Sequence, residues 1–227
     1  VAYPTSTTWS VSVSNLQQGT NTITISAKDS AGNQSAGVST IIIYDTIPPS
    51  APTVNPVTSP TKDTTINLSG TKESDTSVWI NNIKIQESDN STAWQYTYTL
   101  QSGSTTLNIT SKDAAGNQSG TATVIVILDD KPPIIESSAP VNNSDTAKVV
   151  ANITINLTDT YSTVNLETSI LAATVKNSSG QTISGVWTTS GTKTIIFTPS
   201  NSLTQDTYIV TIYPVDALGN KGTQQQI

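Results

Sequence analysis

Short runs of alternating apolar and polar residues recur along the chain, separated by clusters of Gly, Asn, Asp, Ser and Pro. In a strand successive side chains point to opposite faces, so such alternation marks a sheet with one face buried. Residues 65–69 (TINLS) put Ile66 and Leu68 on one side. Val78 and Ile80 flank Trp79, and Asn81-Asn82 predicts a two-residue hairpin turn into Ile83-Lys84-Ile85. Trp94, Tyr96, Tyr98 and Leu100 share a face, as do Leu107 and Ile109, and a last strand covers 121–128. About seven short strands between 48 and 129 predict a two-sheet sandwich. Further strands are expected at Ile153/Ile155/Leu157, Leu171/Ala173/Val175, 183–187, Ile195/Phe197 and Tyr208/Val210/Ile212, with a single helical turn in 164–170.

The pattern repeats. Residues 21–35 read NTITISAKDSAGNQS and residues 105–119 read TTLNITSKDAAGNQS, 84 residues apart. The same offset maps Leu16 onto Leu100, Gly19 onto Gly103, Asp45 onto Asp129 and Pro48-Pro49 onto Pro132-Pro133. Trp9 and Trp94 correspond with a one-residue slip, and both are expected in the core. Solenoid units run to about 20–50 residues, whereas an immunoglobulin-like sandwich takes about 100. The repeat is therefore read as a domain. The predicted divisions are the C-terminal half of one domain at 1–45, a complete domain at 46–129, and a longer unit at 130–227 that lacks most of its last strand. Residues 1–44 then hold only three strands and no covering sheet, their opening Val1-Ala2-Tyr3 matching the second unit near Gln86.

Composition reinforces the all-β expectation. Charged residues are 11% of the chain, against about 25% in ordinary soluble domains. Ser, Thr, Asn and Gln supply the polarity instead, which suits sheet surfaces better than helix surfaces. A net charge of −6 and a pI near 4.4 argue against nucleic acid or an anionic membrane as partner. With neither Cys nor His, the chain can build no disulfide, no thiolate metal site and no Ser–His–Asp or Cys–His constellation. A glycosidase would need two carboxyls converging in a cleft, but the acids here fall in turns and linkers. The apolar runs at 41–44 and 124–128 are too short to insert in a bilayer.

Residues 1–129 resemble the bacterial immunoglobulin-like repeats of large secreted surface proteins, through the shared string ending K-D-x-A-G-N-Q-S and the D-x2-P-P junctions at Asp45 and Asp129. Residues 133–227 resemble the related domain of S-layer proteins, through Phe197-Thr198-Pro199, Leu203, Asp206-Thr207-Tyr208 and the DALGN turn at 216–220. The resemblance implies tandem immunoglobulin-like or fibronectin-III-like β-sandwiches in an extended extracellular array, without catalytic residues. It implies a structural spacer or stalk of an adhesin or S-layer-associated protein, with a self-assembling filament as a variant. The alternative is an accessory module binding glycan or protein, in an adhesin or a secreted polysaccharide-degrading enzyme. Partners are then other domains of the array, a second copy, or a surface glycan or protein.

Several residues carry candidate chemistry. The D-x-x-G-N stretches at 29–33, 113–117 and 216–220 read as hairpin turns, since each offers one carboxylate where a calcium loop needs several. Related arrays hold interdomain metals, which makes the junction acids Asp45, Asp129 and Asp130 the calcium candidates, converging with Asp159, Asp89 or Glu73. Adjacent prolines alone would also stiffen these junctions. Trp79 is expected to face outward, the sole candidate for stacking on a sugar, and Trp187 to lie in the core. A Lys–Asn isopeptide link is chemically open, but no spacing singles one out. Sequons occur at Asn33, Asn67, Asn90, Asn108, Asn117, Asn142, Asn152, Asn156 and Asn177, most of them attributable to a composition rich in Asn, Ser and Thr.

Overall fold

A computed structural model describes residues 2–5, 8–141, 143 and 151–226. The sequon at Asn142 and the terminal residues Val1 and Ile227 lie outside them. Among the described residues the fold is almost entirely β. Strands β1 (Ala2–Thr5) and β2 (Thr8–Ser10) pair antiparallel, as do β3 (Gly19–Ile25) and β4 (Val38–Tyr44). Next come β5 (Thr65–Thr71), β6 (Thr76–Ile80), β7 (Ile83–Asp89), β8 (Ala93–Thr99), β9 (Gly103–Lys112) and β10 (Ala122–Leu128). They form a four-stranded sheet, β10-β9-β6-β7, and a pair, β5-β8. The remaining elements are β11 (Ile134–Ala139), β12 (Ile153–Thr158), α1 (Leu166–Ile170), β13 (Thr174–Asn177), β14 (Gly185–Ser190), β15 (Thr194–Pro199), β16 (Tyr208–Ile212) and β17 (Gln225–Gln226). Their sheets are β11-β12-β15-β14 and β13-β16-β17, the four-plus-three strand count of an immunoglobulin-like sandwich.

The chain divides into two compact units, one of residues 1–55, 69–96 and 108–123, the other of residues 56–68, 97–107 and 124–227. In the first, the hairpin of β6 and β7 closes through Asn81 and Asn82, both at positive φ (47° and 66°), with Ile80 paired to Ile83. Those angles are what a type I′ turn demands, so the Asn-Asn reading of the sequence has its physical basis here. Val78, Ile80 and Ile109 are buried as their alternation requires, and Trp94 is 3% exposed. The indole Nε1 of Trp94 donates to Thr53 O at 3.0 Å, which settles the one polar atom of that ring.

The β3–β4 ribbon differs. Every residue of β4 is exposed, Ile41 at 65% and Ile43 at 74%. Trp9, expected in the core, is 47% exposed. Its repeat partner Trp94 has Gly70 and Thr53 against its ring edge, and no such cover stands over Trp9. The equivalence is one of sequence position and not of environment.

In the second unit, one cluster gathers Leu100, Val126 and Leu128 with Val57, Ile66, Tyr98 and Val124 against them. Tyr96, placed by alternation on the same face, is 38% exposed. The larger cluster lies between the two sheets of residues 134–226. Ile153, Ile155 and Leu157 of β12 and Ile195 and Phe197 of β15 meet Val175, Val210 and Ile212. Each fully buried side chain of this size contributes about 1.5–3 kcal/mol. Trp187 packs on the margin of this core, its ring 4.9 Å from that of Phe197.

Two sequence expectations shift here. The strand expected from Leu171 begins only at Thr174, and Leu171 is 83% exposed. The cause is local: Asn165 caps α1 by accepting from Thr168 N, and Leu171 still holds helical angles at its C-terminus. The helical turn expected in 164–170 therefore forms and displaces the strand start. The strand expected at 183–187 runs from Gly185 to Ser190.

Candidate metal centre

The three D-x-x-G-N turns share one hydrogen-bond pattern. In each, the Gly sits at positive φ (94°, 91° and 84° at Gly32, Gly116 and Gly219), where a Cβ would be strained. The Asp carboxylate takes the Asn backbone N–H through Oδ1 and the Asn amide through Oδ2. These bonds are 2.8 and 2.9 Å at Asp29, 2.9 and 2.9 Å at Asp113, and 2.8 and 2.7 Å at Asp216. They hold the Asp29 carboxyl below its ordinary range. At Asp113 burial pushes upward, and the Asn117 amide and backbone N–H groups outweigh it. The hairpin reading is thus sufficient for the shape of each turn.

The second and third turns do one thing more. Asn117 Nδ2 also donates to the backbone oxygen of Asp45 at 3.1 Å, and Asn220 Nδ2 to that of Asp129 at 2.8 Å. Each turn thereby grips the main chain just ahead of a Pro-Pro pair. Asp129 is held from the other side too, its N–H donating to Thr61 O at 2.8 Å.

With its backbone fixed twice, Asp129 has its side chain beside two other acids. Asp159 follows β12 in a tight turn, Oδ1 accepting from Tyr161 N at 3.0 Å and Ser162 N at 2.9 Å. Carboxylate oxygens of Asp129, Asp159 and Asp216 all lie within 4.8 Å of one another. Asp129 and Asp216 are each 1% exposed, while Asp159 is half-buried. At the effective dielectric of about 20 that suits protein sites, two unit charges 4.8 Å apart repel by about 3.5 kcal/mol. None of the ion pairs among the described residues reaches the three acids. Asp129 Oδ2 is buried without any hydrogen-bond partner, where an unpaired charged oxygen is costly.

Of the acids the sequence put forward, Asp129 and Asp159 do come together. Asp216 joins them, although in sequence it is an ordinary turn residue. The other candidates are engaged elsewhere. Asp45 Oδ1 accepts from Gln18 Nε2 at 2.6 Å and Ile47 N at 3.0 Å. Asp130 takes the Ser102 hydroxyl at 2.6 Å, which with Lys131 3.5 Å away holds its carboxyl low. Glu73 accepts from Ser50 N. Asp89 pairs with Lys72 at 2.9 Å, a contact that lowers the Asp89 carboxyl.

Two other candidates are answered by the same geometry. Trp79 is half-buried and not freely outward, its Nε1 bonded to Ser77 Oγ at 3.0 Å. Lys112 Nζ stands 4.3 Å and Lys84 Nζ 5.6 Å from its ring centroid, so ammonium groups occupy the face a sugar would need. Lys72, with a fully buried side chain, meets charged Asp89 and the backbone oxygens of Asp89 and Glu73, and among its partners there is no Asn for an isopeptide link.

Comparison with known families follows this division closely. Residues 129–226 match the model of the bacterial Ig-like domain family. The match opens on Asp129 and takes in both sheets of the larger core. The structure is also similar to the human desmocollin-1 ectodomain, at 11% identity and a TM-score of 0.40, over 92% of this chain and 50% of that one. A second similarity is to SGBP-B of a Bacteroides ovatus mixed-linkage glucan utilization locus, solved with a mixed-linkage heptasaccharide. There the identity is 19% and the TM-score 0.26, over 93% of this chain and 53% of that one. The chain thus spans about half the length of either. Comparison with curated proteins gives no match. The Ig-like, all-β architecture is that of a structural or accessory module.

Proposed function

We propose that the chain is a non-catalytic spacer of an extracellular surface protein, its Ig-like units adding length in an adhesin or S-layer-associated array. The observation that carries this reading is the repeated clamp, in which Asn117 grips Asp45 O and Asn220 grips Asp129 O. Each clamp fixes the course of the chain ahead of two prolines, whose rings hold φ near −65°. A segment so held has few conformations left, which is what a stiff connection requires and a flexible linker avoids. The absence of Cys and His from the sequence removes the nucleophile–base pairs on which most hydrolases of this size depend. No helix among the described residues is long and apolar enough to cross a membrane.

Small-angle scattering on the whole chain tests the reading. An elongated particle supports it, and a radius of gyration near the roughly 17 Å of a single compact chain of this length refutes it. The alternative, a glycan-binding accessory module, has lost its best aromatic platform to Lys112 and Lys84. Retardation of the chain in gels containing soluble polysaccharides would restore it.

A further inference from the structure

We propose that Asp129, Asp159 and Asp216 bind a calcium ion. Three separate stretches of chain supply the donors: the segment before Pro132-Pro133, the turn after β12, and the D-x-x-G-N turn at 216–220. Their carboxylate oxygens already lie within 4.8 Å of one another, with Asp129 and Asp216 out of solvent. The second observation is independent of the clustering. Asp129 Oδ2 is buried and accepts no hydrogen bond, while the backbone of the same residue is bonded on both sides. A side chain set that firmly, with one oxygen unsatisfied among like charges, is a ligand atom facing its site. Protein cations do not fill the place. Lys62 Nζ comes within 3.9 Å of where a Cβ on Gly219 would stand, yet pairs with none of the three acids.

The choice of ion follows from donor type and span. All donors are carboxylate oxygens, which suit hard cations. Calcium takes oxygens at 2.3–2.6 Å, so ligands on opposite sides of it stand about 4.6–5.2 Å apart; magnesium at 2.0–2.1 Å holds them to about 4.0–4.2 Å. A span of 4.8 Å lies inside the calcium sphere and beyond the magnesium one. Three carboxylates leave several positions for water, as calcium's six to eight ligands allow. The corresponding acids of the first unit do not gather, since Glu73 is committed to Ser50 N and Asp45 to Gln18 and Ile47. One site per chain is therefore expected.

The test is calorimetric titration of the chelator-treated full chain with calcium chloride, together with thermal melting in calcium and in chelator. The expected result is one calcium per chain and a melting transition raised by several degrees in millimolar calcium. Asp159→Asn, at the half-exposed ligand, should abolish both the heat and the shift, while Asp45→Asn and Asp130→Asn leave them intact. Asp129→Asn should melt no lower than wild type in chelator, because it relieves repulsion, and should gain nothing from calcium. A purely structural role for Asp129 predicts the opposite in chelator. The proposal is overturned by an absence of heat and shift at 10 mM calcium, by a shift that survives Asp159→Asn, or by an equal shift with magnesium at the same concentration.

Discussion

Alanine at Gly70 should unfold the first unit at a much lower urea concentration than wild type. Gly70 is buried near the end of β5, with the chain at Thr53 running beside it. A Cβ there would lie 1.9 Å from Thr53 O, 2.7 Å from Thr53 C and 2.9 Å from Trp94 Nε1. Those are backbone and ring atoms, so no flexible end can swing aside. Thr53 would have to retreat by roughly 1.5 Å to reach ordinary van der Waals contact. Such a move carries the 3.0 Å bond from Trp94 Nε1 to Thr53 O beyond hydrogen-bonding range. It also threatens the bonds from Thr53 N to Thr71 O and from Thr71 N to Thr53 Oγ1. An unpaired indole N–H in a site that excludes water costs about 1–3 kcal/mol, and overpacking a further 1–3 kcal/mol. The expected loss is about 2–6 kcal/mol, against a typical domain stability of about 5–15 kcal/mol. At a slope near 2 kcal/mol per molar urea the midpoint should fall by about 1–3 M, read by tryptophan fluorescence. Gly120→Ala is the control. Its Cβ would meet Ala51 Cβ at 3.6 Å, an ordinary contact, and should change stability by no more than about 0.5 kcal/mol. Coincident unfolding curves for the two variants would refute the close-packing argument.

Two further outcomes are expected. Asn220→Ala removes a charge-assisted bond to Asp216 and an amide bond to Asp129 O, and should cost about 2–4 kcal/mol; thermal melting in chelator should show Asn33→Ala, which forfeits only exposed bonds within its own turn, to be markedly milder. The acid limb of stability tests the lowered carboxyls of Asp29, Asp89, Asp113, Asp130 and Asp206. Folding depresses these groups, so their contribution is complete above the unfolded value near 4 and disappears as pH falls through the folded values. Melting temperature should be insensitive to them between pH 8 and 5 and decline below about pH 4, with Asp89→Asn showing a shallower decline; a parallel decline in that variant would dismiss the Lys72 pair as its source.

What the sequence revealed was whatever depends on neighbours along the chain. Alternation found Leu68, Val78, Leu107 and the Ile153/Ile155/Leu157 row, and Asn81-Asn82 announced its own turn angles. It failed where a second segment decides the environment. Trp9 and Trp94 hold matching positions, but only Trp94 has Thr53 O to receive its N–H. Leu171 continued an alternating row that the cap at Asn165 turned into helix. Lys112 is remote from Trp79 in sequence, so the cation over the ring was invisible to any reading of Val78-Trp79-Ile80. The acid cluster was half legible. The D-x2-P-P junction marked Asp129 and the loop after β12 marked Asp159, but Asp216 looked complete within its turn, and only the fold carries that turn to the junction.

The grip of Asn117 and Asn220 falls on a main-chain oxygen, which every amino acid possesses. The side chain of the gripped residue is consequently at liberty to take on other work. At Asp45 it stays among its near neighbours, receiving Gln18 and Ile47. At Asp129 it turns inward to face Asp159 and Asp216. A lineage copying such units end to end can therefore vary the character of each joint through one or two loop acids, while the trajectory of the backbone through every joint is inherited unchanged.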